Sequence, residues 1–267
     1  MKLKTNTDIT NFVTPQESQS IINHATPLLT PSPLTGPAAS QPGASQSRTS
    51  RSAPLLPSDD VSPNGDSALA INCVLSRATS FLGTLLSPGR DSIGPAQMVR
   101  YTPGQKFDLH TDWFTHPKLD DRDAESGRRR LYNRVATFFV VLQANHSDSS
   151  GETWFPFVKP ATPQDWETTR TGTATTGTET QTEGGEGKAE GEVKAKGGER
   201  SGKEKVWREH EQGGLAFRAV PGNALFWVNL FPNGTGDSRT VHAGLPVEGG
   251  TKHAMNIWPR VFFGPDA

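Results

Sequence analysis

Cysteine is nearly absent: the only one in 267 residues is Cys73. A single cysteine excludes an intrachain disulfide, a cysteine-built zinc site and an iron–sulfur cluster. Any metal must therefore be held by histidine and carboxylate. Net charge is missing too, since 27 Lys and Arg against 28 Asp and Glu leave −1. No global charge points to nucleic acid or to a membrane surface. The N-terminal MKLKTNTDITNFVTPQES carries two early lysines but lacks the apolar run of roughly 7–15 residues that a secretory signal needs. No stretch approaches the ~20 apolar residues that span a bilayer. These absences predict a soluble chain, cytoplasmic by its sequence, with neither nucleic acid nor membrane as partner. Hydrophobic residues, alanine included, are also scarce, at 33% of the chain. Part of the chain is expected to stay outside a packed core.

The ordered part opens with a helix. Thr14 is its cap, Pro15 suits the first helical position, and Glu17 stands three residues after the cap as a capping box requires. Its body is expected from Ser18 to Leu29. Residues 31–57 are rich in Pro, Ser, Ala and Gly without a period, and read as a flexible loop. A second amphipathic helix is expected from Asp66 to Leu86, with Ile71, Val74, Leu75, Leu82 and Leu85 near 3.6 spacing and Cys73 packed within it.

After Pro95 the pattern changes to short β-branched and aromatic runs: MVRY, KFDLHTDWF, RVATFFVVLQ, TWFPFV, LAFRAV, ALFWVNLF, RTVHA and HAMNIWPRVFF. Eight short strands suggest a sandwich or barrel, with a jelly roll as the leading architecture. Pro221-Gly222-Asn223 reads as a tight hairpin turn. Thr168 to Lys205, within a low-complexity insertion spanning about 161–213, is a Thr/Gly tract grading into Glu/Lys/Gly. It has too little apolar surface to offset the ordering entropy of roughly 1–2 kcal/mol per residue, which predicts disorder. What remains is ample for one core, so 1–267 reads as one domain.

Two residues carry the chemistry of KFDLHTDWF. His110 and Asp112 stand two apart in an extended segment, where positions i and i+2 share a face. Phe107, Leu109, Trp113 and Phe114 surround them, so burying this polar pair demands a partner or a metal. The second His-x-Asp, His146-Ser147-Asp148, lies in the polar ANHSDSSGE and reads as a turn. His242 in RTVHA is a third candidate ligand, which only a fold that joins distant strands could deliver. Two imidazoles and one carboxylate on one side of an octahedron form the site of non-haem Fe(II) oxygenases. Lys252, ten residues on, would supply a cation. Metal and cation together make a two-point anchor for a dicarboxylate.

The runs RYTPGQKFDLHTDWF, NRVATFFVVL, GETWFPFV, GLAFRAVPGNALFWVNL and SRTVHAGLPV…TKHAMNIW, in this order, resemble the catalytic domain of the prolyl 4-hydroxylases. NFVTPQESQSII and SRTSRSA extend the likeness, which covers most of the chain outside the two flexible segments. The resemblance implies an α+β, mainly β fold: a double-stranded β-helix, or jelly roll, with N-terminal supporting helices. It implies His110, Asp112 and His242 as Fe(II) ligands and Lys252 as partner of the distal carboxylate of 2-oxoglutarate. Tyr101 and Thr153 match positions that help hold that cosubstrate, and Arg134 and Trp258 match positions lining a peptide groove. No catalytic residue beyond the metal ligands is implied.

The implied reaction takes dioxygen and 2-oxoglutarate to succinate and CO2 while hydroxylating a peptidyl proline, with L-ascorbate restoring oxidised iron. The partner would be a proline-containing peptide or protein, whose polyproline II form presents its rings without further ordering. The family is often found in the endoplasmic reticulum. Alternatives are the same chemistry on a lysyl side chain or small molecule, and a non-catalytic binding module. Three departures bear on substrate rather than on metal. Phe107 replaces a common tyrosine, Ser150-Gly151 keeps one glycine of the usual GGET, and Arg260 stands near the groove where another residue is frequent. The loop Thr115 to Tyr132 is the candidate lid.

Overall fold

The computed structural model describes residues 6–33, 44–56, 66–145, 150–160 and 205–267. The elements below belong to a unit of residues 1–158 and 206–267. They begin with β1 (Asn6–Ile9), α1 (Pro15–Ala25), β2 (Thr30–Pro31), α2 (Ala44–Ser47), β3 (Arg51–Leu55) and α3 (Asp66–Leu82). Next come β4 (Ser92–Ile93), β5 (Ala96–Tyr101), β6 (Phe107–His110), β7 (Lys118–Leu119), α4 (Asp121–Glu125), β8 (Leu131–Arg134), β9 (Ala136–Ala144) and β10 (Thr153–Phe155). The last are β11 (Trp207–Glu209), β12 (Leu215–Phe217), β13 (Ala224–Val228), β14 (His242–Gly244), β15 (Lys252–Ile257) and β16 (Pro259–Phe263).

The strands form a jelly roll. A seven-stranded sheet runs β1-β13-β9-β15-β5-β3-β2, a five-stranded sheet runs β11-β12-β10-β14-β6, and a smaller one runs β4-β16-β8-β7. Period 2 explains the layering. In β9, Ala136, Phe138, Val140 and Leu142 face the helices and join Ile21, Ile71, Val74 and Phe226 in the main core. The alternate residues Thr137 and Phe139 point the other way, between the two larger sheets. β13 divides likewise: Phe226 joins the helix side, while Leu225 and Trp227 pack with Phe155 and Phe217 from the five-stranded sheet. Rings lock the outer layer, with Phe138 centred 4.7 Å from Phe226 and 5.4 Å from Phe12.

α1 starts as its sequence dictates. Thr14 Oγ1 accepts from the Glu17 amide at 3.1 Å, and Glu17 Oε2 accepts from the Thr14 amide at 2.8 Å. The helix ends at Ala25, short of the expected Leu29, because Pro27 lacks an amide and the chain tightens into a 3-10 turn at Thr26–Leu28. α3 is followed by a similar turn. Together Ser67–Leu85 is long and apolar enough to cross a membrane, although polar residues interrupt its apolar run. Its stripe Ala70, Ile71, Val74, Ala78 and Leu82 lies in the protein core, and mid-helix Arg77 pairs with Glu17 at 2.8 Å. Cys73, expected to be packed, is exposed, because the packed stripe runs along the other side of the helix.

Other expectations also change. Residues 31–57 are not one loop: they include α2 and β3, and β3 pairs with β5 from Arg51↔Arg100 to Leu55↔Ala96. Short polar strands are stabilised by tertiary pairing that composition cannot register. The segment expected to lack structure up to 213 already holds β11, since Trp207 can bury its ring against the second core. Residues 161–204, like the His146-x-Asp148 motif, lie outside the described residues. Pro221-Gly222-Asn223 does make a turn, with Gly222 at φ +88°. It is no hairpin, because β12 pairs with β10 and β11 while β13 pairs with β1 and β9. The turn carries the chain from one sheet to the other. Thr115 to Tyr132, expected as a loop, holds β7, α4 and the start of β8; Asp120 pairs with Arg260 of β16, and Arg130 pairs with Asp123 inside the segment at 2.8 Å.

Candidate active site

β6 and β14 pair so that His110 lies opposite His242. Asp112 is not on the strand with His110. β6 ends at His110, and a bend brings Asp112 round to the same point. One ligand atom from each of the three residues lies within 4.8 Å of the others, and His242 Nε2 is 3.8 Å from Asp112 Oδ2. Among the described residues this is the only such group of histidine, cysteine and carboxylate side chains.

Both imidazoles are held by their other nitrogen. Nδ1 of His110 is 2.8 Å from the Asp108 carbonyl, and Nδ1 of His242 is 2.9 Å from the Thr240 carbonyl. Because a carbonyl only accepts, each Nδ1 carries a proton and each Nε2 is the nitrogen left to face a metal. Phe107 stacks on His110 with centroids 3.6 Å apart, and Phe155 stacks on His242 at 5.2 Å. Burial, aided by the neighbouring His242, pulls His110 down to about 3, so it is neutral and ready to ligate.

Asp112 is fixed as tightly. Thr137 donates to its Oδ2 at 2.7 Å, and Asn229 Nδ2 donates to the Thr137 hydroxyl at 2.9 Å. Burial alone would raise this carboxyl, but the two imidazoles, Arg134 and the Thr137 bond outweigh it and hold Asp112 below the ordinary carboxylate value. The donor set of two imidazoles and one carboxylate fits a divalent iron.

A cavity of about 250 Å³ opens over these three residues. Tyr101, Thr153, Arg134 and Trp258 also line it, so seven of the eight expected site residues meet there. Arg134 stacks its guanidinium 3.7 Å from the centre of the Trp258 ring and donates to the Asp112 carbonyl at 3.3 Å. Burial lowers Arg134 to about 10.

Lys252, the eighth, sits one layer back. It is 2% exposed, its Nζ lies 4.8 Å from the Phe139 ring centre and 5.7 Å from that of Tyr101, and both rings line the cavity. Nζ donates to the Gly151 carbonyl at 2.6 Å. Among the described residues no carboxylate stands within ion-pair distance of it. An ammonium has three donors, so this one retains capacity for a carboxylate entering beside Tyr101 and Thr153. Burial lowers Lys252 to about 7, with the Glu152 carboxylate opposing that shift.

Three residues of the site were not singled out from the sequence. Thr137 and Asn229 are polar positions inside the apolar runs VATFFVV and FWVNLF, and that interruption is a usable signal. Arg48 lines the cavity, lies 4.6 Å from the Phe107 ring centre, and donates to Gln97 Oε1 at 3.2 Å. Nothing in SRTSRSA beyond the family resemblance marks it.

Residues 96–260 match the model of the 2OG-Fe(II) oxygenase superfamily. Prolyl 4-hydroxylase 13 of Arabidopsis thaliana is 29% identical over 250 residues, covering 94% of this chain and 69% of that protein. Among solved structures, the viral collagen prolyl hydroxylase of Paramecium bursaria Chlorella virus-1, in its 2OG complex, superposes with a TM-score of 0.57 at 20% identity, covering 97% of each chain. A Trichoplax adhaerens prolyl hydroxylase, in complex with a hypoxia inducible factor peptide fragment, gives 0.52 at 11% identity, covering 96% of this chain and 83% of that one. The two superpositions bear on the fold.

Proposed function

The chain belongs to the 2OG-Fe(II) oxygenase superfamily, and we propose that it hydroxylates prolyl residues in a peptide or protein, releasing succinate and CO2. The observation that carries this reading is the convergence of His110, Asp112 and His242 within 4.8 Å, under a cavity also lined by Tyr101, Thr153, Arg134 and Trp258. The two histidines and Asp112 would hold Fe(II), and Lys252 would pair with the distal carboxylate of 2-oxoglutarate. Bound iron and cosubstrate supply the oxidising chemistry that inserts one oxygen atom.

The protein's part is binding, orientation and exclusion of water. Thr137 and the two backbone carbonyls keep the ligands aimed, so little reorganisation follows metal entry. Phe107 and Phe155 cover the imidazole faces against solvent. Tyr101 and Thr153 line the cavity end nearest Lys252, where the cosubstrate would lie. Trp258, with Arg134 stacked on it, offers a flat apolar face for a proline ring and a guanidinium for a peptide carbonyl. Ascorbate fits the reading as the reductant that rescues oxidised metal.

The test is succinate release by purified protein with Fe(II), 2-oxoglutarate and ascorbate, with and without a proline-rich peptide whose mass is followed in parallel. A peptide gain of about 16 Da coupled to succinate is the expected result. Succinate without peptide oxidation would redirect the search to lysyl or small-molecule substrates. Metal binding with no succinate would favour a binding module.

A further inference from the structure

Arg208 lies in β11, the first strand after the Thr/Gly and Glu/Lys tract. It stands opposite Ala216 of β12, which in turn stands opposite Trp154 of β10. Only a methyl group fills the middle position, so the arginine can lean across β12. Its Nη2 reaches Glu152 Oε2 at 2.6 Å and its Nε reaches Oε1 at 3.0 Å, a bidentate pair. Glu152 is wholly buried, while nearly half of the Arg208 side chain is exposed. The neighbours of Glu152 belong to the candidate site: the Gly151 carbonyl accepts from Lys252 Nζ, and Thr153 lines the cavity.

A buried carboxylate therefore stands one residue from the group that holds Lys252. Left unpaired, it would be costly, and its charge already acts on the Lys252 ammonium. A lysine committed to Glu152 could not serve an incoming acid. We propose that Arg208 is a positioning residue for the cosubstrate: by occupying both oxygens of Glu152, it leaves the Lys252 ammonium free for the distal carboxylate of 2-oxoglutarate. This rests on the cosubstrate reading given above. It also gives the strand after the long tract a role in cosubstrate affinity, although Arg208 touches neither metal ligand nor cavity.

The experiment is calorimetric titration of the full chain loaded with Mn(II), a redox-stable stand-in for iron, at about pH 6, where Lys252 is charged. Two probes are compared: 2-oxoglutarate, and 2-oxopentanoate, which has the same chain length but no distal carboxylate. R208Q is expected to bind 2-oxoglutarate about tenfold more weakly, with 2-oxopentanoate unchanged. Adding E152Q to R208Q should restore most of that affinity, since no orphan carboxylate then remains. Unchanged 2-oxoglutarate affinity in R208Q would overturn the proposal. So would a loss that E152Q does not reverse, because that is the signature of a clamp holding β11 to β10. Should R208Q not fold, R208K carries the same test, with intermediate affinity expected and wild-type affinity contrary to it. No binding of 2-oxoglutarate by the unaltered chain would instead remove the cosubstrate reading itself.

Discussion

Thr137 donates its hydroxyl proton to Asp112 at 2.7 Å, from the inward face of a strand whose other face belongs to the main core. The bond fixes the carboxylate oxygen that lies nearest His242 Nε2, and that oxygen keeps a second lone pair for a metal. Asn229 completes the chain by donating to the same hydroxyl at 2.9 Å. Orientation of the candidate ligand thus depends on residues that do not themselves ligate.

Replacing Thr137 by valine keeps the volume but removes both bonds. Metal affinity should fall about 10–100-fold, and stability by about 1–3 kcal/mol because Asn229 loses its buried partner. Titration with Mn(II) and a chemical denaturation curve measure the two effects; an unchanged metal affinity would show that the bend after β6 orients Asp112 unaided.

His242→Ala removes a candidate ligand from a strand paired on both sides, by β6 and by β10. The fold should persist, judged by circular dichroism, while bound metal and succinate release fall by about a hundredfold or more. Wild-type turnover in a folded variant would refute the three-ligand site.

Lys252 makes stability depend on pH in a definite direction. Its native value is about 7 against an ordinary 10.5, so between these values the unfolded chain holds a proton that the native chain has released. More protons on the unfolded state means that stability rises with pH through this window, by at most on the order of 4–5 kcal/mol. Below about pH 7 the full cost of the buried charge is felt. Melting of the cosubstrate-free protein should therefore climb from pH 7 towards 10, and Lys252→Met should flatten the climb. Affinity for 2-oxoglutarate should move the opposite way, weakening as the ammonium is lost.

Gly236 has the Trp113 ring where a side chain would go, and Trp113 follows Asp112 directly. Gly236→Ala must push the indole aside, at a cost of about 1–3 kcal/mol. Because the indole and Asp112 share the bend after β6, metal affinity should fall with stability. A variant that loses stability yet binds Mn(II) normally would show that the bend yields without moving the carboxylate.

Much of this was legible in the chain before folding. The capping residues Thr14 and Glu17 are local signals, and they act as written. The apolar run RVATFFVVLQ is legible as a strand, whereas the need of Thr137 for a buried partner shows only once the strand is paired. His110, Asp112 and His242 stand out because polar groups among aromatic residues require an explanation. What local pattern could not supply was any feature that exists only across strands. Residues 44–56 are too polar to announce α2 and β3, which persist because β3 hydrogen-bonds to β5. Arg48 reaches the cavity through an isolated bridge to Phe107 of β6.

The sequence by itself determined the ligand types, the start of the first helix and the period-2 faces, because each depends on residues a few positions apart. Only the tertiary structure decided that Asp112 turns in from a bend, that Lys252 sits behind Tyr101 and Phe139, and that Arg208 crosses Ala216 to Glu152. Those relations join residues distant in sequence, and their distances are set by sheet register and burial, which no local spacing encodes.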